Sequence, residues 1–142
     1  MTDHIPQADY DKILSLMPIV CVDCVIEYNG KILVVRRKHE PAAGQWWIPG
    51  GRLYKDETLE NCAIRKALEE VGLHCKIVNQ ISTNATIFDT VHSVNVVYLM
   101  SAFNNDVVVD DTILDHRWVS QVDGSWHIYV KQAVMKGILS AW

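Results

Sequence analysis

The chain has 142 residues, 49% of them hydrophobic, and a formal net charge of −4. That suits one domain, residues 1–142, burying roughly 68% of its unfolded surface. The lack of any basic block or stripe argues against a nucleic-acid duplex as partner, while single nucleotides need only a few local cations. No apolar run reaches about 18 residues, and the polar start MTDHIPQADYDKIL lacks a charged segment leading into an apolar one. Neither a membrane span nor a signal peptide is indicated, and the expected location is cytoplasmic.

In chain order, DYDKILSLM (Asp9–Met17) predicts a short helix that stops before Pro18. Ile19–Tyr28 is rich in β-branched residues, Asn29-Gly30 is a strong hairpin turn, and KILVVRR pairs back. KHEPAAGQWW reads as a loop. Cys21 and Cys24 form a CxxC, a spacing that zinc and redox sites use. Three apart on a strand they face opposite sides, and no second CxxC exists, so they read as small buried hydrophobes.

Asp56 is the expected N-cap of a helix over Glu57–Val71, with Glu57 and Glu60 complementing its first turn and Gly72 closing it. Strands follow at Cys75–Ile81, Ala85–Asp89, Ser93–Ala102 and Arg117–Ser120, then a last helix from about Trp126 to Leu139. Strands outnumber helices and hairpins are frequent, which fits an α/β fold with a mixed sheet flanked by helices.

The helix from Glu57 carries the chemistry. At ~100° per residue, Ala63, Ile64, Ala67, Leu68 and Val71 fall on one arc, with Glu60 intruding; Arg65, Lys66, Glu69 and Glu70 fall on the other. A charged arc is ordinarily just a solvated face. Here two adjacent carboxylates offer the hard oxygens that Mg²⁺ or Mn²⁺ prefers. The glycines of PGG just upstream allow close backbone approach to a ligand, and Arg52 and Arg65 supply planar donors for phosphate oxygens.

Gly51, Glu57, Arg65, Glu69, Glu70 and Gly72 stand at the spacings of G-x5-E-x7-R-E-U-x-E-E-x-G-U, in which U is a bulky apolar residue. The chain therefore resembles the Nudix hydrolases. Two positions depart from the pattern: Ala67 is small where a bulky residue is usual, and Lys66 replaces a glutamate. The resemblance implies an α/β/α sandwich with a mixed sheet, and hydrolysis of a diphosphate linked to another group. It implies Mg²⁺ or Mn²⁺ held by Glu69, Glu70 and a backbone carbonyl at Gly50–Gly51, with Glu57 ordering Arg65. Lys66 lies between Glu69 and Glu70 on the helical wheel. An ammonium there lowers the site's negative charge by two units relative to the pattern; alternatively it snorkels away and only neutralises the face.

Over residues 9–76 the chain further resembles the GDP-mannose mannosyl hydrolase branch, which cuts the sugar C1–O bond and releases GDP. Tyr10, Pro18 and Asp23 match that branch, as does RRKHEPAAGQWWIPGGRLYKDETLE (Arg36–Glu60). By position, Tyr10 stacks on guanine, Asp23 touches the sugar, and Arg37 and Arg52 touch the diphosphate. The likeness weakens afterwards. Aligned on Arg117-Trp118, the branch's catalytic histidine falls on Ile113, its glutamine on Thr112 and its tyrosine on His116. The expected base is missing, and Asp110, Asp111 and His116 are its candidate replacements.

The residues expected to act in catalysis are Arg37, Arg52, Arg65, Asp111 and His116. Three readings stand. The first is a nucleotide-sugar hydrolase like the GDP-mannose branch. The second is a pyrophosphohydrolase cutting the P–O–P bridge, favoured by Glu69, which the branch loses, and by the missing histidine. The third is a binding module without turnover, favoured by Lys66. The expected partner is a small nucleotide-sugar or nucleoside diphosphate substrate, and a homodimer is an admissible assembly.

Overall fold

The computed structural model describes residues 5–140. It runs α1 (Gln7–Leu16), β1 (Ile19–Tyr28), β2 (Lys31–Arg37), β3 (Trp46–Trp47), β4 (Gly50–Arg52), α2 (Leu59–Val71), β5 (Cys75–Phe88), β6 (Val91–Ala102), β7 (Ile113–Val119) and α3 (Ile128–Ser140). The seven strands form one mixed sheet. β1 is its centre: it runs parallel to β6 from Ile19 to Glu27, while its other edge pairs antiparallel with β2 at one end and β4 at the other. β5 lies outside β6, and β7 and β3 both pair with β2.

The alternation of β1 makes two cores. Val22, Cys24 and Ile26 pack with Ala63, Ala67 and Val71 of α2 on one face. Val25 packs with Val130 and Val134 of α3 on the other. Gly137 permits that second contact, since a Cβ there would lie 2.3 Å from Val25 Cγ1. The α/β/α sandwich expected from the resemblance is therefore the observed architecture. Cys24 is buried against α2, Cys21 faces the opposite side, and all four cysteines are free.

Several elements differ in detail from the sequence reading. α2 begins at Leu59, not Glu57: Thr58 is the N-cap, its hydroxyl accepting from Asn61 N–H at 3.1 Å, while Asp56 sits in the left-handed region at φ 69°. Glu57 is thereby released from the helix and turns back toward it. Ile64 and Leu68, placed on the apolar arc, are 37% and 44% exposed, because the sheet covers only the narrower stripe of Cys62, Ala63, Ala67 and Val71. The two strands expected at Cys75–Ile81 and Ala85–Asp89 are one continuous β5. Register shifts at Ile77/Asn79 and Gln80/Ser82 absorb the polar stretch that reads as a break. Trp46 and Trp47, assigned to a loop, form β3, and β7 starts at Ile113 rather than Arg117.

Candidate active site

One cleft of about 490 Å³ opens on the α3 side of the sheet, where α1, β1, β4 and the β5–β6 hairpin meet. Its floor is the cleft-facing residues of β1, Ile19, Cys21 and Asp23, beside Ser93 and Asn95 of β6. Two unlike walls rise from it.

The first wall comes from β4 and α2. Glu57, released from the helix, takes Arg65 in a two-point ion pair, Nε to Oε2 at 2.6 Å and an Nη to Oε1 at 2.9 Å. The Tyr54 N–H donates to the same carboxylate at 3.1 Å. Arg65 also donates to the Arg52 carbonyl at 3.1 Å and lies 3.6 Å over the Tyr54 ring. Hydrogen bonding to Arg65 holds Glu57 below the ordinary glutamate range and raises Arg65 in return. The clasp ties β4 to α2. Across it, the Gly50 N–H donates to Glu70 Oε1 at 2.9 Å. Of the β4 glycines, Gly50 is demanded by space, while at Gly51 a Cβ would meet only the end of the flexible Lys66 side chain. A Cβ at Gly50 would stand 2.1 Å from Asp23 Oδ1, and one at Gly51 would stand 2.6 Å from Lys66 Cε.

Lys66 does lie between the two carboxylates. Its Nζ is 3.6 Å from Glu69 Oε2 and 3.6 Å from Glu70 Oε2. Burial works against the ammonium, but Glu70 and Glu69 outweigh it and hold its pKa above the ordinary lysine value. For Glu70 the balance falls the other way: burial pushes the carboxyl up, against Lys66 and the Gly50 N–H, and Asp110 adds to the rise.

The second wall is aromatic. Trp47 of β3 lies 5.8 Å from Phe88 of β5 in an edge-to-face arrangement, 5.3 Å from His127 and 6.0 Å from Tyr129. Phe88 and His127 are 5.5 Å apart. His127 Nδ1 accepts the Tyr129 N–H at 3.1 Å, which leaves Nε2 as the protonated, donating nitrogen of the neutral ring.

Asp23 stands between the walls, 7% exposed, its Oδ2 accepting from the Tyr129 hydroxyl. Burial pushes its carboxyl up to about 6, with the Tyr129 hydrogen bond opposing and Glu70 adding to the rise. Arg37 reaches the cleft from the end of β2, its Nε donating to the Pro41 carbonyl at 2.7 Å. Arg52 enters from β4 with its guanidinium near the rings of Tyr54 (4.9 Å) and Tyr10 (5.7 Å).

Of the site residues expected from sequence, Tyr10, Asp23, Arg37, Gly50, Gly51, Arg52 and Glu70 line this cleft. Arg65 and Glu69 stand behind the first wall, joined to it by the clasp and by an Arg65–Glu69 pair at 3.2 Å. Asp111 and His116 are not brought to the cleft. Both are exposed and neither lines it; the side chain filling the position of the missing histidine, Ile113, is buried. Asp110 also stays outside, its Oδ1 occupied by the Thr112 N–H and hydroxyl at 2.9 and 2.5 Å. Trp47, Phe88, His127 and Tyr129 went unremarked in the sequence. The one signal for them was the adjacent tryptophans in a stretch read as loop.

The family profile described as NUDIX domain matches residues 17–130. The chain is 37% identical over 117 residues to the low-salt glycan biosynthesis protein Agl8 of Haloferax volcanii, covering 80% of this chain and 74% of that one. It is 30% identical over 100 residues to an ADP-ribose pyrophosphatase of Methanocaldococcus jannaschii, covering 69% of this chain and 59% of the relative. Among solved structures, a MutT NUDIX hydrolase of Burkholderia pseudomallei superposes with a TM-score of 0.73 at 26% identity, over 84% of this chain and 98% of that one.

Proposed function

The chain belongs to the Nudix hydrolase family, and on that premise we propose that it hydrolyses a nucleoside diphosphate-linked sugar of the GDP-mannose type, releasing nucleoside diphosphate and free sugar. One observation carries this reading: the cleft joins a charged part, with Arg37, Arg52 and Glu70, to a ring-lined compartment beside the buried Asp23. Arginine forks suit a diphosphate. Aromatic faces bordered by a carboxylate and a ring N–H suit the apolar face and hydroxyls of a sugar. Tyr10 and Arg52, at the far side of β4, are the proposed seat of the base. The likeness to the Haloferax volcanii glycan biosynthesis protein supports a sugar-bearing substrate.

Nudix hydrolases use divalent cations such as Mg²⁺. The donors fit one: Glu69 and Glu70 are adjacent hard-oxygen ligands, and the backbone at Gly50–Gly51 runs directly against Glu70. Mg²⁺ needs only one or two protein carboxylates when substrate phosphates complete its shell. Held there, the ion would neutralise charge developing on the departing diphosphate. Arg37 and Arg52 orient the same oxygens, and the Glu57–Arg65 clasp fixes β4 so that its glycine backbone can approach them. Asp23 Oδ1, not engaged by Tyr129, is the acceptor offered to the sugar hydroxyls.

A second reading, cleavage between the phosphorus atoms, is favoured by the intact Glu69–Glu70 pair and by the ADP-ribose pyrophosphatase relative. Product analysis after incubation with GDP-mannose and Mg²⁺ separates the two. GDP plus mannose supports the first reading, GMP plus mannose 1-phosphate the second, and no turnover of this or other nucleotide sugars refutes both.

A further inference from the structure

The first wall carries a cation of its own. Lys66 Nζ is equidistant from Glu69 and Glu70, and at 3.6 Å from each it exceeds ordinary hydrogen-bond length. It is thus held between the carboxylates by charge, committed to neither. Its stem lies along Gly51, where a Cβ would collide with it, so the backbone leaves room for the lysine to stay. The other acids nearby are already engaged. Glu57 is 2% exposed at its side chain and fully taken by Arg65 and Tyr54, and Arg65 also reaches both oxygens of Glu69 at 3.2 and 3.3 Å. In the cluster around Lys66, the three carboxylates of Glu57, Glu69 and Glu70 face the two cations Arg65 and Lys66, which leaves that cluster with a single net negative charge. Among the described residues, no group of three or more His, Cys, Asp or Glu side chains is arranged to hold a metal ion.

We propose that Lys66 makes divalent-ion binding conditional on the diphosphate: its ammonium occupies the place between Glu69 and Glu70, the free chain holds the ion weakly, and metal and diphosphate enter together. The physical reason is charge balance. A divalent ion approaching Glu70 meets a like charge tethered beside it, and an arriving diphosphate supplies both the missing negative charge and the missing oxygen ligands. The diphosphate part of this inference rests on the function proposed above; the competition between Lys66 and the metal does not.

Binding of Mn²⁺ to the full chain, read from the signal of the free ion by electron spin resonance, tests it without turnover. Mn²⁺ is titrated alone and with GDP, against protein-free Mn²⁺–GDP controls, for the parent, Lys66→Gln and Lys66→Arg. Lys66→Gln is expected to bind Mn²⁺ alone about 10-fold more tightly than the parent, and Lys66→Arg, which keeps the charge, to stay within about 2-fold of it. GDP should raise the parent's Mn²⁺ affinity by about 10-fold or more and that of Lys66→Gln by clearly less. Equal Mn²⁺ affinity of the parent and Lys66→Gln overturns the competition. An equal GDP effect in both overturns the conditional binding. If GDP has no effect on the parent while Lys66→Gln still binds Mn²⁺ more tightly, the competition stands and the diphosphate reading falls.

Discussion

The two walls of the cleft are built by opposite means. The first is local and charged: Gly50 to Glu70 spans one short strand and one helix, and its side chains are locked by the Glu57–Arg65 clasp and the Gly50–Glu70 hydrogen bond. The second is dispersed and aromatic: Trp47 of β3 and Phe88 of β5 stand at opposite ends of the strand order and meet across the cleft, with His127 and Tyr129 from the start of α3 beside them. Charge that must face phosphate gains from rigid placement, since a misdirected guanidinium or carboxylate in a partly buried site costs more than it contributes. Ring faces tolerate small displacements and still exclude water. The first wall should therefore govern turnover, the second affinity for the group beyond the diphosphate.

The sharpest way to break that division is Glu70→Gln. The amide keeps the Gly50 hydrogen bond but removes the charge that faces the metal and leaves Lys66 with one carboxylate fewer. We expect kcat to fall on the order of 100-fold, about 2.7 kcal/mol of transition-state stabilisation. A steady-state assay with saturating Mg²⁺ checks it, and unchanged turnover would remove Glu70 from the metal site.

Arg37→Lys and Arg52→Lys test the same wall at its phosphate end. Charge is kept while the planar fork is lost, so kcat/KM should fall about 10-fold for each. Lysine variants indistinguishable from the parent would reduce both arginines to surface charge. Arg52 carries a further expectation, because its stacking near Tyr10 and Tyr54 is also lost.

What was legible in the sequence follows the same division. Residues that act through fixed spacing on one helix were readable: the placement of Lys66 between Glu69 and Glu70 comes from helical geometry alone, and the structure has it there. The hairpin at Asn29-Gly30 and the left-handed Gly72 were readable because each conformation excludes most other residues. Thr58 displaced Asp56 as the helix cap because two residues with capping oxygens, standing on either side of Glu57, look alike until the backbone chooses between them. The aromatic wall left no local trace beyond the paired Trp46 and Trp47. Phe88 and His127 are 39 positions apart in the numbering, and nothing in either stretch signals that their rings will meet at 5.5 Å.

Phe88→Ala and His127→Ala probe the aromatic wall directly. Each removes ring contacts worth about 1 kcal/mol, so KM for the nucleotide sugar should rise roughly 5-fold. Inhibition by GDP, which lacks the sugar, should be unchanged. Equal losses for GDP and GDP-mannose would move the base, not the sugar, against these rings.

Asp23 stands where the two walls meet, and its replacement acts chiefly on stability, with a sign opposite to the usual mutation. Its carboxyl is pushed up from 3.8 to about 6, chiefly by burial. The folded chain therefore binds that proton more tightly than the unfolded one. The resulting stabilisation is complete below about pH 4 and is lost as pH rises through about 6, so above pH 7 the ionised Asp23 is a net cost to the fold. Asp23→Asn keeps an oxygen to accept the Tyr129 hydroxyl and removes the charge. At pH 8 it should stabilise the protein by roughly 1–3 kcal/mol, raising Tm by several degrees, while turnover of the sugar substrate drops. At about pH 3, below both values, the two proteins should melt within about a degree of one another, since Asp23 is then largely protonated in both states. Thermal melts at the two pH values decide it. A variant that melts below the parent at pH 8 would mean that Arg37 and Tyr129 stabilise the ionised carboxylate more than burial opposes it, and Asp23 would then belong to the rigid charged wall rather than to a strained point between the two.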